Sequence, residues 1–146
     1  MKNLYDMPCN IAQTLNIIGD KWSLLILHEM AMGHHTYAEI RKGLDGIPTN
    51  LLSGRLKSLE ADGLISSTLY VEHPPRYQYQ LTEAGEDLED VLNCLMLWGE
   101  KHLSTCYKKL SHRLCGEPVE IRYFCPKCGK AVEKSELCVQ SFEERM

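Results

Sequence analysis

The 146-residue sequence predicts a mainly helical fold carrying one small β element, an α+β chain. Three observations predict it. Apolar residues recur at helical spacing in several stretches before residue 62 and again after Thr82. Between those stretches, Leu69 and Val71, then Tyr77, Tyr79 and Leu81, alternate with polar neighbours on either side of Pro74-Pro75, the pattern of a hairpin whose turn falls where proline breaks the ladder. Four of the seven cysteines then cluster between Cys115 and Cys138, which marks a C-terminal appendix with its own means of stabilisation.

The elements follow in order. Asn10 is a candidate helix cap with Gln13 three residues on, and Ile11, Leu15 and Ile18 recur along one face until Gly19. A second helix is expected from about Lys21 to Met30, ended by Gly33. Thr36 and Glu39 form a capping-box pair for a short third helix, Tyr37 to Gly43, followed by a tight connection through Asp45-Gly46. Thr49 is the expected N-cap of a fourth helix, in which Leu52, Leu56 and Leu59 face inward. Asn50, Ser53, Gly54 and Lys57 fall on or near the opposite face.

Two helices joined by a short glycine-containing turn, the second presenting small polar groups and a lysine, match the helix-turn-helix device that lays its second helix in a major groove. An ordinary solvated helix face is the alternative. The hairpin favours the first reading, because Arg76 lies at or beside its tip, where a cation can reach a phosphate or a minor groove. A solvated turn arginine remains the other possibility there. Thr49 is the candidate phosphate contact, Asn50, Ser53 and Lys57 the candidate groove contacts, and Arg76 the wing contact.

Net charge is −4, which at first opposes a nucleic-acid partner. The acid is concentrated, however: residues 65 to 103 hold 2 Lys/Arg against 7 Asp/Glu, whereas residues 1 to 64 hold 6 against 7. The helix-turn-helix face can therefore stay locally neutral or basic. The longest apolar patch, Leu24 to Leu27, stops at His28, and the first six residues lack a signal-peptide pattern, so a cytoplasmic protein without a membrane span is expected. Nucleophile elbow, phosphate-cradling glycine loop and HExxH motif are absent, and catalysis is not expected. His28, His34 and His35 read as solvated histidines rather than a metal cluster.

Cys9, Gly19-Asp20-Lys21-Trp22, Gly46-Ile47, Leu56, the run Leu59-Glu60-Ala61-Asp62-Gly63-Leu64-Ile65, Pro74-Pro75, Tyr79, Leu81-Thr82-Glu83 and Trp98-Gly99 make up an ordered set of signposts. With them the chain resembles the HxlR-type winged-helix regulators, relatives of the MarR group, over about residues 9 to 103. The resemblance implies a homodimeric bacterial or archaeal transcription factor whose dimer contact uses helices from both ends of the domain. The expected architecture is a winged helix-turn-helix with a small metal-binding appendix, divided as residues 1–104 and 105–146.

Independent support for the dimer comes from the helix after Thr82, whose Leu88, Val91, Leu92, Leu95, Met96 and Trp98 exceed what a small domain needs to cover itself. A dimer sets two recognition helices about one DNA turn apart, so a double-stranded operator with an inverted repeat is expected, read by what is expected to be a repressor. An accessory module that binds RNA polymerase is the rival, favoured by the acidic balance.

An odd number of cysteines in a cytosolic chain argues for free thiols or metal ligands. Cys9 stands just before a helix N-terminus, where the dipole and unpaired N–H groups favour the reactive thiolate. In several relatives an N-terminal cysteine at this place senses oxidants or electrophiles, which implies an oxidant or small-molecule effector. Here Pro8 precedes the cysteine and Asn10 follows it, whereas the family commonly has proline after it. A small structural cysteine is the alternative.

The segment Cys125-Pro126-Lys127-Cys128-Gly129-Lys130 follows the alternating run Val119, Ile121, Tyr123 and resembles a zinc knuckle. His112 and Cys115 offer the second half of a Cys₃His zinc site across a nine-residue gap, with Cys138 competing for the fourth position. Longer members of the family carry a similar C-terminal pattern, which favours His112. Four ligands without a neighbouring acid or base read as a closed structural Zn2+ site. Unmetallated thiols are the alternative, and a thiol oxidoreductase lacks its βαβ setting.

Overall fold

The structure is a computed structural model that describes residues 4–141. Its first helix, α1 (Asn10–Ile18), has Cys9 at the N-cap with no side-chain cap, so Asn10 is the first helical residue rather than the cap. Gln13 instead turns back, its amide donating to the Met7 carbonyl at 2.8 Å, while Asn16 accepts from the Leu4 and Tyr5 N–H groups. The segment before α1 is thus laid along the helix. Only Ala12 and Ile18 of α1 are buried, whereas Ile11 and Leu15 are 72% and 43% exposed. Of the apolar face Ile11, Leu15 and Ile18, only Ile18 therefore reaches the core, and the small Ala12 packs beside it.

The second helix, α2 (Ser23–Ala31), starts two residues later than its apolar pattern predicts. Asp20 explains the delay: its Oδ1 accepts from the N–H groups of Trp22 and Ser23, and its Oδ2 from the Ser23 hydroxyl. These bonds pair the Trp22 and Ser23 donors at the start of the helix, where no intrahelical partner exists. Helix α3 (Tyr37–Gly43) carries the predicted capping box, with Thr36 and Glu39 each bonding the other's backbone. Helix α4 (Thr49–Ala61) places Pro48, not Thr49, at the N-cap. Proline fixes the φ that leads into the helix and supplies no side-chain acceptor.

After α4, Gly63 at φ +75° turns the chain into β1 (Ile65–Val71), which pairs antiparallel with β2 (Arg76–Leu81). The pairing runs from Ile65 opposite Leu81 to Leu69 opposite Tyr77, with an irregularity before Val71 meets Arg76. At the base Ile65 is buried, and towards the tip Leu69 and Tyr77 are exposed. The hairpin therefore projects from the core as a wing. Helix α5 (Glu83–His102) begins at Thr82, whose hydroxyl donates to the Gly63 carbonyl and accepts from Gly85 N–H. Gly85 is forced by packing, since a Cβ there would stand 2.1 Å from the Leu64 carbonyl oxygen.

The core gathers Ile26, Leu27, Met30, Ile40, Leu52, Leu56, Leu59 and Ile65, each 2% exposed or less. Burying such side chains contributes roughly 1.5–3 kcal/mol apiece, so the core of the helix-turn-helix also fixes the orientation of α4. Two compact units result, Met1–Asn93 and Cys94–Met146. The second unit contains β3 (Tyr123–Cys125) paired antiparallel with β4 (Lys130–Val132), then a 3-10 turn at Lys134–Glu136. Of the alternating run from Val119, only Tyr123 enters that hairpin. Among the described residues no helix is long and apolar enough to cross a membrane.

Candidate nucleic-acid interface

Helices α3 and α4 meet through residues 44–48, with Gly46 at φ +81°, a conformation that glycine adopts without strain. Across the turn the Tyr37 hydroxyl donates to the Thr49 carbonyl at 2.9 Å, which ties the start of α4 to α3. Leu52, Leu56 and Leu59 point into the core, and Thr49, Asn50, Ser53, Gly54 and Lys57 are all exposed. The polar candidates thus share the outer face of α4. Since Pro48 leaves the first-turn N–H groups without a side-chain cap, that end of α4 can accept a phosphate beside Thr49.

Gly54 is the informative residue on this face. A Cβ at Gly54 would meet nothing within 4 Å, so packing inside the chain does not require glycine there. Glycine in a helix interior costs about 1 kcal/mol relative to alanine. The open space suits close approach by an external backbone or base edge. Gly54→Ala is expected to raise thermal stability by about 1 kcal/mol and to weaken DNA binding at least tenfold, as checked by melting curves and fluorescence anisotropy on one preparation.

The wing is tied to the same frame. Tyr79 N–H donates to the His35 carbonyl at 2.7 Å, His35 Nδ1 lies 3.0 Å from the Tyr79 carbonyl, and Thr36 pairs with Gln78 as an antiparallel bridge. Thus β2 continues onto the segment that caps α3. His35 is a half-buried anchor of the wing and His34 lies 2.6 Å from Glu29, so these two histidines are not simply solvated as their sequence context suggests. Arg76 is exposed at the first position of β2. Near it, Tyr37, Tyr70, Tyr77 and Tyr79 line a groove between α3 and the wing. Burial, then the nearby Glu60, raises the Tyr79 phenol above its ordinary value, so it stays neutral.

A residue with no prominence in the sequence organises the inner side of α4. Arg55 is 9% exposed, and its guanidinium donates to Asp20 Oδ2 at 3.1 Å and towards the Ser58 hydroxyl at 3.4 Å. Burial pushes the Asp20 carboxyl up, but hydrogen bonds from Ser23, Trp22 and Arg55 outweigh it and hold the group below the usual carboxylate value. The cap of α2 is thereby joined to α4. The available signal was Asp20 three residues before Ser23, an N-terminal capping spacing, together with a lone arginine inside an apolar stripe.

Cys9 is partly buried at the N-cap of α1. In the second unit, His112 Nδ1 lies 3.2 Å from Cys115 Sγ, and Cys128 N–H points at Cys125 Sγ across 3.5 Å. The His112 and Cys115 side chains thus stand side by side, and the Cys125 sulfur faces the backbone of Cys128. Among the described residues, no group of three or more His, Cys, Asp or Glu side chains stands close enough to hold one ion. Cys138, beyond the 3-10 turn, is exposed.

Five helices, a two-stranded wing and an exposed polar face on α4 define a winged helix-turn-helix protein of the DNA-binding regulator class. Residues 17–107 match the family model described as HxlR-like helix-turn-helix. The chain belongs to the HxlR-like helix-turn-helix family. Among its relatives is Rv3095 of Mycobacterium tuberculosis, an HTH-type transcriptional regulator, 36% identical over 126 residues that cover 84% of this chain and 79% of the relative. The structure of PA1374, a presumed transcription factor of Pseudomonas aeruginosa, is similar at a TM-score of 0.71 and 32% identity, over 94% of this chain and 95% of that one. The redox regulator HypR in its oxidised form is similar at a TM-score of 0.58 and 34% identity, over 66% of this chain and all (100%) of that one.

Proposed function

We propose that this protein is a homodimeric repressor that docks two α4 helices on an inverted-repeat operator and releases it when the Cys9 thiol is modified. One observation carries the reading: α4 turns an uncapped N-terminus and an exposed row of small polar side chains outward, braced from behind by the core. Lys57 and Arg76 supply cations on that helix and on the wing. Each adds phosphate attraction that positions the protein, while Asn50 and Ser53 face the base edges. Lys57→Ala is expected to weaken binding and to lower the slope of log affinity against log salt by about 1. Unchanged affinity at low salt would remove Lys57 from the interface.

The dimer is supported by apolar surface that the chain leaves uncovered. On α1, Ile11 and Leu15 are exposed, and on α5, Val91, Leu95 and Trp98 recur at intervals of four and three residues. A second copy covers such stripes, and two copies supply two recognition helices. The dyad symmetry is tested by inserting half a helical turn, about five base pairs, between half-sites. Binding should fall at least a hundredfold, whereas an unaffected affinity would mean that each chain binds alone.

Thiol control is supported by the place of Cys9 at the N-cap of α1, the helix that carries the exposed Ile11 and Leu15, and by similarity to the redox regulator HypR. Addition of the Cys9 thiol across a quinone C=C bond forms one C–S bond, breaks S–H and leaves a hydroquinone whose two oxygens carry the thiol proton and the displaced ring proton, which puts bulk at the start of α1. The segment held there by Gln13 and Asn16 would have to move. Cys9→Ser should bind DNA normally and keep it in the presence of quinone or diamide. Release unchanged from that of the wild type would place the sensor elsewhere. The net charge of −4 favours one rival, a module that docks on RNA polymerase, and it predicts no DNA binding at low salt.

A further inference from the structure

We propose that the second unit holds one Zn2+ per chain between two turns of the same build, with His112, Cys115, Cys125 and Cys128 as ligands. The turns repeat one another closely. In the first, His112 and Cys115 are two residues apart, Gly116 follows at φ +74°, and its N–H donates to the His112 carbonyl at 2.8 Å. In the second, Cys125 and Cys128 have the same spacing, Gly129 follows at φ +67°, and its N–H donates to the Cys125 carbonyl at 2.8 Å. Both turns are closed by antiparallel pairing, Ser111 with Pro118 in the first and Cys125 with Lys130 in the second.

This geometry suits a chelate. Nitrogen and sulfur donors on a tetrahedral zinc stand about 3.5 Å apart, given bond lengths of roughly 2.0 and 2.3 Å, and the His112–Cys115 pair is already at 3.2 Å. A positive φ after the second donor is what lets the backbone curl around an ion without strain, and only glycine takes it freely. The contact of His112 with Cys115 also separates it from Cys138 as the fourth ligand. Thiolate and imidazole donors in this ratio select zinc over the harder cations.

The need for an ion comes from a separate observation. Not one described residue from 94 to 141 is buried, and Leu114, Phe124 and Val139 are 88%, 64% and 98% exposed. A unit of this size without a core requires another staple. A disulfide between near neighbours in one turn closes a loop too short to organise the rest. An ion shared by both turns joins the segments on either side of residues 116–124. The two pairs are formed separately, so binding draws the turns together and couples metal uptake to ordering. The ion takes the place of three thiol protons, which leave to solvent, and no electron is transferred.

The test uses the full chain, purified under reducing conditions without added metal, and measures zinc per chain together with a Co2+ titration. One equivalent of zinc is expected, with tetrahedral cobalt bands and thiolate-to-cobalt charge transfer. Cys125→Ser and Cys115→Ser should bring zinc below a tenth of an equivalent, Cys138→Ser should leave it at one, and His112→Cys should retain it with an added thiolate signature. Less than a tenth of an equivalent in the wild type, with no cobalt spectrum, overturns the site. Half an equivalent per chain, an ion shared by two chains, overturns the two-turn arrangement, and loss of metal in Cys138→Ser with retention in His112→Ala overturns the ligand set.

Discussion

Leu95→Glu is expected to convert the proposed dimer to a folded monomer and to abolish high-affinity DNA binding. Leu95 is 52% exposed in the single chain, flanked along α5 by Val91 at 41% and Trp98 at 61%. A glutamate there can turn its carboxylate to solvent in the monomer. In a twofold interface the change appears twice, removing roughly 1.5–3 kcal/mol of burial per leucine and placing two carboxylates in an apolar contact. Sedimentation should therefore report 16.7 kDa instead of twice that mass. Loss of the linked second half-site lowers affinity by roughly 10²- to 10⁴-fold, with far-UV circular dichroism unchanged. A variant that stays dimeric would move the interface away from α5.

The second large effect is expected at Arg55. Arg55→Met keeps most of the volume beneath α4 but leaves the Asp20 carboxylate without its guanidinium. Breaking a buried ion pair from one side costs roughly 3–5 kcal/mol. Asp20 keeps 26% of its side chain exposed, so water recovers part of the loss. A destabilisation of about 2 kcal/mol is expected, a fall in Tm of roughly 10 °C. The double variant Asp20→Asn/Arg55→Met should recover part of it, since the stranded charge is then gone.

The pH dependence follows from the same pair. Because the folded Asp20 value lies below the unfolded one, its contribution is complete above the unfolded value, about 3.9. It is lost as pH falls through the folded value. Removing the guanidinium shrinks that contribution. Wild type and Arg55→Met should therefore converge in stability as acid protonates Asp20, whereas a parallel decline would mean that the arginine acts through packing alone.

Much of this fold was legible because local signals and tertiary packing agree. The capping box at Thr36 and Glu39, the inward leucines of α4, the hairpin around Pro74-Pro75 and the span of α5 each follow from short-range chemistry. The misreadings arose where that agreement failed. Thr49 looks like a cap until the fixed backbone of Pro48 takes the position. Ile11 and Leu15 share their spacing with the buried Ile18, and periodicity records apolar spacing without saying which members are covered. Asp20 and Arg55 are 35 residues apart in sequence, so only the fold reveals their pairing. The DNA-facing candidates were visible as a polar row on α4, but the open space at Gly54 was not, since a sequence does not distinguish a glycine required by packing from one left clear for a partner.

The proposed function rests on DNA binding by α4 and the wing of a dimer. Fluorescence anisotropy of the reduced protein with DNA from upstream of its own and adjacent genes, titrated at low salt and then against excess non-specific competitor, tests it most directly. Saturable binding at two chains per duplex that survives the competitor is the predicted result. No binding at low salt would contradict the account and leave the exposed face of α4 to a protein partner.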